Sequence, residues 1–127
     1  MKTLDIKKLS KVLVVEDIYE SAMYLFELLE AHKWQAEIAY NGTTGLLLAE
    51  KEDISLILLD INLPDIDGFE ICKRLKNNPT TKDKPILFLT AQTDYESINK
   101  AFHIGGSDYI TKPFSGYQVL ARIEVHL

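Results

Sequence analysis

Short apolar runs alternate with longer amphipathic stretches along almost the whole chain, and this alternation limits the possible folds more than any other feature. Runs such as 54–59 have the length and composition of strands, whereas stretches such as 19–32 repeat apolar residues at helical spacing. The pattern predicts strands β1 to β5 at 11–15, 35–40, 54–59, 85–89 and 108–111. It predicts helices α1 to α5 at 19–32, 43–51, 68–76, 94–104 and 115–127.

Five successive strand–helix units favour parallel strand pairing, because a parallel connection must be long enough to hold a helix. Strands without polar alternation, such as 56–59, favour helices on both faces of the sheet. Right-handed crossovers then leave a doubly wound open sheet as the natural arrangement, which is an α/β fold. We expect Asp67, Asp94 and Ser115 to cap the helices that follow them.

The composition of the chain excludes several classes of function. Its 127 residues are enough for one domain, and a net charge of -5 disfavours direct binding to nucleic acid or to an anionic membrane. Cys72 is the single cysteine, which excludes an internal disulfide and any multi-cysteine zinc site. No apolar run approaches the length of a membrane span, and residues 1–10 lack the apolar core of a signal peptide. We therefore expect a leader at 1–10 followed by one cytoplasmic domain at 11–127.

Polar residues follow four of the five predicted strands at their carboxyl ends, where such sheets bind ligands. Glu16 and Asp17 follow β1, and Asp60 follows β3. Thr90 follows β4, and Lys112 follows β5. Three carboxylates repel one another unless the lysine or a hard divalent cation neutralises them. Oxygen ligands select Mg²⁺, Mn²⁺ or Ca²⁺ over zinc.

This set of side chains points to phosphoryl chemistry, in which a carboxylate acts as the nucleophile and becomes an acyl phosphate. Asp60 is the best nucleophile, because it ends the most apolar strand. Glu16 and Asp17 would hold the metal, and the backbone carbonyl of Asn62 would complete its ligand shell. The Thr90 hydroxyl would donate a hydrogen bond to a phosphoryl oxygen.

The sequence resembles the receiver domain of two-component response regulators over residues 11–127. Four motifs carry the resemblance, and they occur in order at the expected strand ends. They are V-L-V-V-E-D at 12–17, L-L-D-I-N-L-P-D-I-D-G at 58–68, L-T-A at 89–91 and D-Y-I-T-K-P-F at 108–114. The resemblance implies a flavodoxin-like, five-stranded parallel sheet in the order 2-1-3-4-5, with five helices on both faces.

The resemblance also implies a role for each matching residue. Asp60 corresponds to the phosphoacceptor, and Glu16 and Asp17 correspond to the acidic pair that binds Mg²⁺ or Mn²⁺. Phosphoryl binding or switching is the implied role of four residues, Thr90, Ala91, Lys112 and Tyr109. The Lys112–Pro113 peptide bond is implied to be cis. Asn62 and Gln92 are implied to tune the lifetime of the phosphoryl group.

The implied function is a signalling switch and not a dedicated enzyme. A sensor histidine kinase or a histidine phosphotransfer domain would donate the phosphoryl group to Asp60. The face built from α4, β5 and α5 would then change state, and it is also a candidate homodimer interface. The domain's own chemistry would be limited to self-phosphorylation and autodephosphorylation.

Two other functions remain as alternatives. A Mg²⁺-dependent phosphohydrolase working through an aspartyl phosphate would resemble D-x-D-x-T at the nucleophile, but Asn62 stands in place of the second Asp. A docking domain that is independent of phosphorylation would not need the complete set of acceptor, acidic, hydroxyl and lysine residues.

Helix α1 carries an apolar stripe in addition to the residues that can face the sheet. Tyr19, Met23 and Phe26 stand at i, i+4 and i+7. One interpretation is packing against a neighbouring helix, and the other is a docking stripe for the helical bundle of a kinase. In the second case, Phe26→Ala slows phosphotransfer from the partner but not from a small phosphodonor.

Overall fold

The structure is a computed structural model that describes residues 10–91 and 94–127. It contains five strands and five helices that alternate strictly within these residues. The strands are β1 (Lys11–Val15), β2 (Gln35–Ala39), β3 (Ile54–Asp60), β4 (Ile86–Thr90) and β5 (Asp108–Thr111). The helices are α1 (Tyr19–Ala31), α2 (Gly42–Ala49), α3 (Gly68–Lys76), α4 (Tyr95–His103) and α5 (Gly116–His126).

The strands form one parallel sheet in the order β2-β1-β3-β4-β5, so the predicted doubly wound, flavodoxin-like fold is confirmed. The register brings the carboxyl ends of the strands together. Val15 pairs with Leu59, and Asp60 pairs with Leu89. Thr90 pairs with Thr111 at the next strand. The residues that end these strands therefore share one edge of the sheet.

Each face of the sheet carries its own apolar core. Alternate side chains such as Val14 and Leu58 pack against α1 and α5, where Leu29 and Ile123 are fully buried. The opposite face packs against the helices α2, α3 and α4, and Phe88 is buried there. Burial of a side chain of this size contributes about 1.5–3 kcal/mol. The three inner strands, β1, β3 and β4, thus form a rigid base for the residues at their ends.

The predicted helix starts are confirmed for two of the three proposed caps. The Asp67 carboxylate accepts a hydrogen bond from the Phe69 N–H at 2.7 Å, and Asp94 accepts one from the Ser97 N–H at 3.0 Å. Ser115 occupies the cap position of α5, but its side chain makes no capping hydrogen bond. Ser115 ends the connection 112–115 from β5, its backbone is extended, and its carbonyl accepts a hydrogen bond from the Val119 N–H at 3.0 Å.

Residues 1–9 of the predicted leader lie outside the described part of the chain. Among the described helices, none has both the length and the apolar character needed to cross a lipid bilayer.

Candidate functional site

The residues that follow the strands at the carboxyl edge form an acidic site with one lysine. The parallel ladder continues past the strand ends and holds their backbone. The Glu16 N–H donates to the Ala39 carbonyl at 3.0 Å, and the Lys112 N–H donates to the Thr90 carbonyl at 2.9 Å. Asp60 is itself the last residue of β3. Short backbone connections to the rigid sheet thus position all three charged side chains.

The Lys112 ammonium group lies between two carboxylates. Its Nζ donates to Oε1 of Glu16 at 2.8 Å and to Oδ2 of Asp60 at 2.9 Å. Glu16 is fully buried, and Asp60 is 2% exposed. Burial alone would lower the pKa of Lys112, but its hydrogen bonds to the two carboxylates outweigh burial and raise the pKa. Lys112 therefore stays protonated and balances part of the negative charge.

Glu16 is held in an unfavourable position for a charged group. Its second oxygen, Oε2, is buried and has no hydrogen-bond partner among the described residues. Burial, followed by the nearby Asp60 carboxylate, raises the pKa of Glu16 to about 7, although Lys112 acts in the opposite direction. A buried acceptor without a partner costs free energy, so this oxygen favours the arrival of a cation.

Asp17 completes an oxygen-lined cluster that opens to solvent. One carboxylate oxygen from each of Glu16, Asp17 and Asp60 lies within 4.8 Å of the others. Asp17 is exposed, whereas the other two acids are buried. The donors are all oxygen atoms, which suits a hard divalent cation such as Mg²⁺ or Mn²⁺. The residues present therefore fit the predicted metal.

The segment after Asp60 folds back tightly against that residue. The Asn62 N–H donates to Oδ1 of Asp60 at 3.1 Å, while the Asn62 side chain is exposed. The Gly68 N–H donates to the Ile61 carbonyl at 2.8 Å. A Cβ at position 68 would lie 2.3 Å from the Asp60 carbonyl oxygen, so only glycine allows this approach. The predicted use of the Asn62 carbonyl as a metal ligand stays a prediction.

The predicted switch residues lie on the neighbouring strands β4 and β5. Thr90 ends β4 and is 4% exposed, and Ala91 follows it at the surface. Tyr109 pairs with Phe88 on β4, and its half-buried ring meets Phe102 of α4 edge-on, with 6.1 Å between the ring centroids. Because side chains two apart in a strand share a face, Thr90 and Tyr109 lie on the same side of the sheet. Gln92 lies outside the described residues.

A cleft opens beside the lysine, between the start of α1 and the connection from β5 to α5. The Lys112–Pro113 peptide bond is cis, as the resemblance implies. Phe114 stacks on Tyr24 with 6.2 Å between the ring centroids. The cleft has a volume of about 270 Å³ and is lined by Glu20, Ser21, Tyr24, Lys112, Pro113 and Phe114.

The predicted docking stripe on α1 is only partly at the surface. Tyr19 is 60% exposed, whereas Met23 and Phe26 are half-buried. Tyr40, which the sequence motifs do not mark, lies next to this stripe: its ring stacks on Tyr19 with 6.3 Å between centroids. Its position directly after β2 was a signal for the carboxyl edge. Tyr24 in the cleft has no such signal, because it lies within α1.

Comparison with known proteins gives a consistent result. The family model described as the response regulator receiver domain matches residues 12–124. The response regulator ArlR of Staphylococcus saprophyticus is 39% identical over 119 residues, which cover 94% of this chain and 53% of that protein. The transcriptional regulatory protein SpaR of Bacillus subtilis is 40% identical, over 94% of this chain and 52% of that protein.

Solved structures show the same architecture. The chemotaxis protein CheY4 of Vibrio cholerae superimposes with a TM-score of 0.88 at 28% identity, covering 94% of this chain and 99% of that one. The BeF3-activated receiver domain of DrrB gives a TM-score of 0.81 at 31% identity, covering 93% and 97%. The chain spans about half the length of the first curated relatives it matches.

Proposed function

The chain belongs to the family of response regulator receiver domains, and from this we propose that Asp60 accepts a phosphoryl group from a phosphohistidine. Receiver domains of this family are signalling domains that act with sensor histidine kinases or histidine phosphotransfer proteins. The observation that carries the proposal is the position of Lys112 Nζ, which lies 2.9 Å from Asp60 and 2.8 Å from Glu16. Both acids are buried, and the exposed Asp17 lies beside them at the solvent side of the site.

In the proposed transfer, a carboxylate oxygen of Asp60 forms a bond to phosphorus. The bond from phosphorus to the donor imidazole nitrogen breaks, and its electron pair returns to the ring. Lys112 can turn one of its hydrogen bonds from Asp60 to a phosphoryl oxygen. The Thr90 hydroxyl and the Ala91 N–H are the further proposed donors at this site.

The metal site of the proposal consists of Glu16, Asp17, Asp60 and the backbone carbonyl of Asn62. The buried oxygen Oε2 of Glu16, which lacks a partner among the described residues, supports this assignment. When bound, Mg²⁺ or Mn²⁺ offsets the negative charge of the phosphoryl oxygens. Asn62 and Gln92, which stand two residues after Asp60 and Thr90 in the sequence, are proposed to tune the lifetime of the acyl phosphate, as the family resemblance implies.

The response is proposed to be a shift between two packings of the face formed by α4, β5 and α5. New phosphoryl oxygens draw Thr90 toward Asp60, and Tyr109 then turns into the space that is left. The half-buried Tyr109 ring beside Phe102 links this movement to α4. Homodimerisation through the same face, and action in the cytoplasm, remain part of the proposal.

A small acyl phosphate tests the function without a kinase. The parent protein incubated with this donor and Mg²⁺ should gain one phosphoryl group by intact mass, and EDTA should abolish the gain. Asp60→Asn should gain none, whereas the matched control Asp53→Asn, at an exposed acid in the turn before β3, should behave as the parent does. If the parent neither gains mass nor binds beryllofluoride, the docking-only alternative is favoured. Continuous hydrolysis of generic phosphate esters would favour the phosphohydrolase.

A further inference from the structure

Asp65 lies in the middle of the segment 61–67, which joins the phosphoacceptor strand to α3. Its carboxylate accepts three hydrogen bonds from the first turn of α2. The donors are the Gly42 N–H at 2.7 Å, the Thr43 N–H at 2.9 Å and the Thr43 hydroxyl at 2.7 Å. We call this group of contacts the Asp65 clamp. It joins two parts of the chain that are 22 and 23 residues apart in sequence.

The clamp is built for a charged oxygen. The Gly42 N–H and then the Thr43 donors hold the pKa of Asp65 well below its usual range, so the carboxylate is ionised at neutral pH. The positive end of the α2 dipole adds to this preference. A Cβ at position 42 would lie 3.1 Å from Oδ1 of Asp65 and 2.6 Å from Cδ1 of Ile71, so the approach needs glycine.

The ends of the segment are anchored by other contacts. Asn62 donates to Asp60 at the start, and Gly68 donates to Ile61 where α3 begins. Asp67 caps α3 through the Phe69 N–H. Between these anchors, the clamp ties the middle of the segment to α2 through polar contacts. A loop held at its ends and its middle loses little further entropy when one of its carbonyls takes up a ligand.

We infer that the Asp65 clamp is a positioning device for the metal site: it holds the segment after Asp60 so that the Asn62 backbone is ready to bind the cation. This inference rests on the proposed function, because it presumes that the Asn62 carbonyl is a metal ligand. Asp65 itself does not touch the cation in this account. Residues that hold a metal ligand in place typically change metal affinity by about 10- to 100-fold when they are lost.

Substitutions at Thr43 separate positioning from charge, since removing Asp65 also removes a negative charge from the region. Thr43→Val deletes the hydroxyl donor but keeps the shape and the charge of the side chain. Thr43→Ser keeps the hydroxyl donor and should leave the Asp65 clamp intact. Asp65→Asn should disrupt the clamp most, because an amide cannot accept at both of its atoms. Glu52→Gln, at an exposed acid, is the matched charge control.

Binding of Mn²⁺, followed by the electron paramagnetic resonance signal of the free ion, measures the effect without any phosphorylation. We expect the Kd to rise about tenfold for Asp65→Asn and about threefold for Thr43→Val. Thr43→Ser and Glu52→Gln should stay within about twofold of the parent. Hydrogen exchange of the Asn62 amide in the metal-free protein should accelerate in Asp65→Asn and Thr43→Val, but not in Thr43→Ser or Glu52→Gln.

The outcomes separate the inference from the proposed function. A parent that binds Mn²⁺, with Thr43→Val and Asp65→Asn binding it equally well, overturns the positioning role and leaves the metal site intact. Equal losses in Asp65→Asn and Glu52→Gln, with none in Thr43→Val, assign the effect to charge alone and also overturn it. A folded parent that binds no Mn²⁺ overturns the proposed metal site, and the positioning role with it.

Discussion

Lys112 and Glu16 form an ion pair across 96 positions of sequence, and this pair sets the electrostatics of the site. Removing Lys112 would leave the buried carboxyls of Glu16 and Asp60 without a compensating charge, which is costly, whereas Lys112 keeps Asp60 as its partner when Glu16 is removed. The lysine cannot satisfy every oxygen, however, because Oε2 of Glu16 remains without a partner among the described residues. The site therefore favours the binding of a further cation beside Lys112.

The raised pKa of Glu16 predicts that Mg²⁺ binding depends on pH. Because burial and then Asp60 raise this pKa to about 7, the cation must displace a proton at lower pH. The affinity for Mg²⁺ should therefore rise about tenfold from pH 6 to pH 8, as measured by titration calorimetry. Glu16→Gln should bind more weakly, with no such dependence. A parent affinity that is constant over this interval would contradict the assignment of Glu16.

The same pKa fixes the sign of a stability effect in the metal-free protein. A carboxyl whose pKa is raised on folding stabilises the folded state fully below its unfolded pKa, near 4.5. This contribution is lost as the pH rises through about 7. Urea unfolding in EDTA should thus show that Glu16→Gln gains stability relative to the parent at pH 8 but not at pH 4.

Loss of the lysine should impair the chemistry as well as the fold. In Lys112→Ala, the phosphoryl oxygens lose a charged donor, so phosphorylation of Asp60 by a small acyl phosphate should slow about 10²- to 10³-fold. Mass spectrometry over time measures this rate. Lys73→Ala, at an exposed lysine of α3, is the control and should react at the parent's rate. Equal rates in Lys112→Ala and the parent would remove Lys112 from the site.

The connection from β3 to α3 depends on the absence of a side chain at position 68. In Gly68→Ala, the new Cβ would meet the Asp60 carbonyl oxygen, which belongs to the backbone and cannot turn aside. We expect the free energy of unfolding to fall by about 1–3 kcal/mol in urea titrations. Gly116→Ala is the matched control, because its Cβ would meet only side-chain atoms at 3.3 Å, and its change should stay within about 1 kcal/mol.

Helix α1 offers a separate test of partner docking. Tyr19 is exposed and stacked on Tyr40, so Tyr19→Ala should slow phosphotransfer from a phosphorylated kinase domain several-fold. Transfer from a small acyl phosphate should be unchanged, as predicted for Phe26→Ala. Tyr117→Ala is the control, at a tyrosine of α5 that is 92% exposed. Equal slowing with both donors would place Tyr19 in the chemistry and not in docking.

The elements were predictable because each carries a local signal. Continuous apolar runs marked β1 and β3, and Asp67 and Asp94 marked the starts of α3 and α4. The boundary differences are small and arise where hydrogen bonding decides, as at Asp60, which the sheet includes in β3. Ser115 shows the limit of such signals, since a residue type that favours capping need not form the bond. The Asp65 clamp has no local signal, because it joins a loop to a helix start 22 residues away.

The whole molecule places its chemistry at one edge of a sheet whose three inner strands are buried. Parallel topology alone brought the polar residues after β1, β3, β4 and β5 to that edge, so their proximity was predictable from the order of elements. Their pairing was not, because it depends on how far the Lys112 side chain reaches between two acids. The burial of Met23 and Phe26 also depends on packing that a helical repeat does not specify.

The position of the acyl phosphate decides whether this account is right. After reaction with a small acyl phosphate and Mg²⁺, borohydride reduces an aspartyl phosphate to homoserine, which peptide sequencing by mass spectrometry locates. We predict homoserine at Asp60, and none in an EDTA control. Homoserine at Asp17 or at another aspartate, with Asp60 intact, would contradict the account.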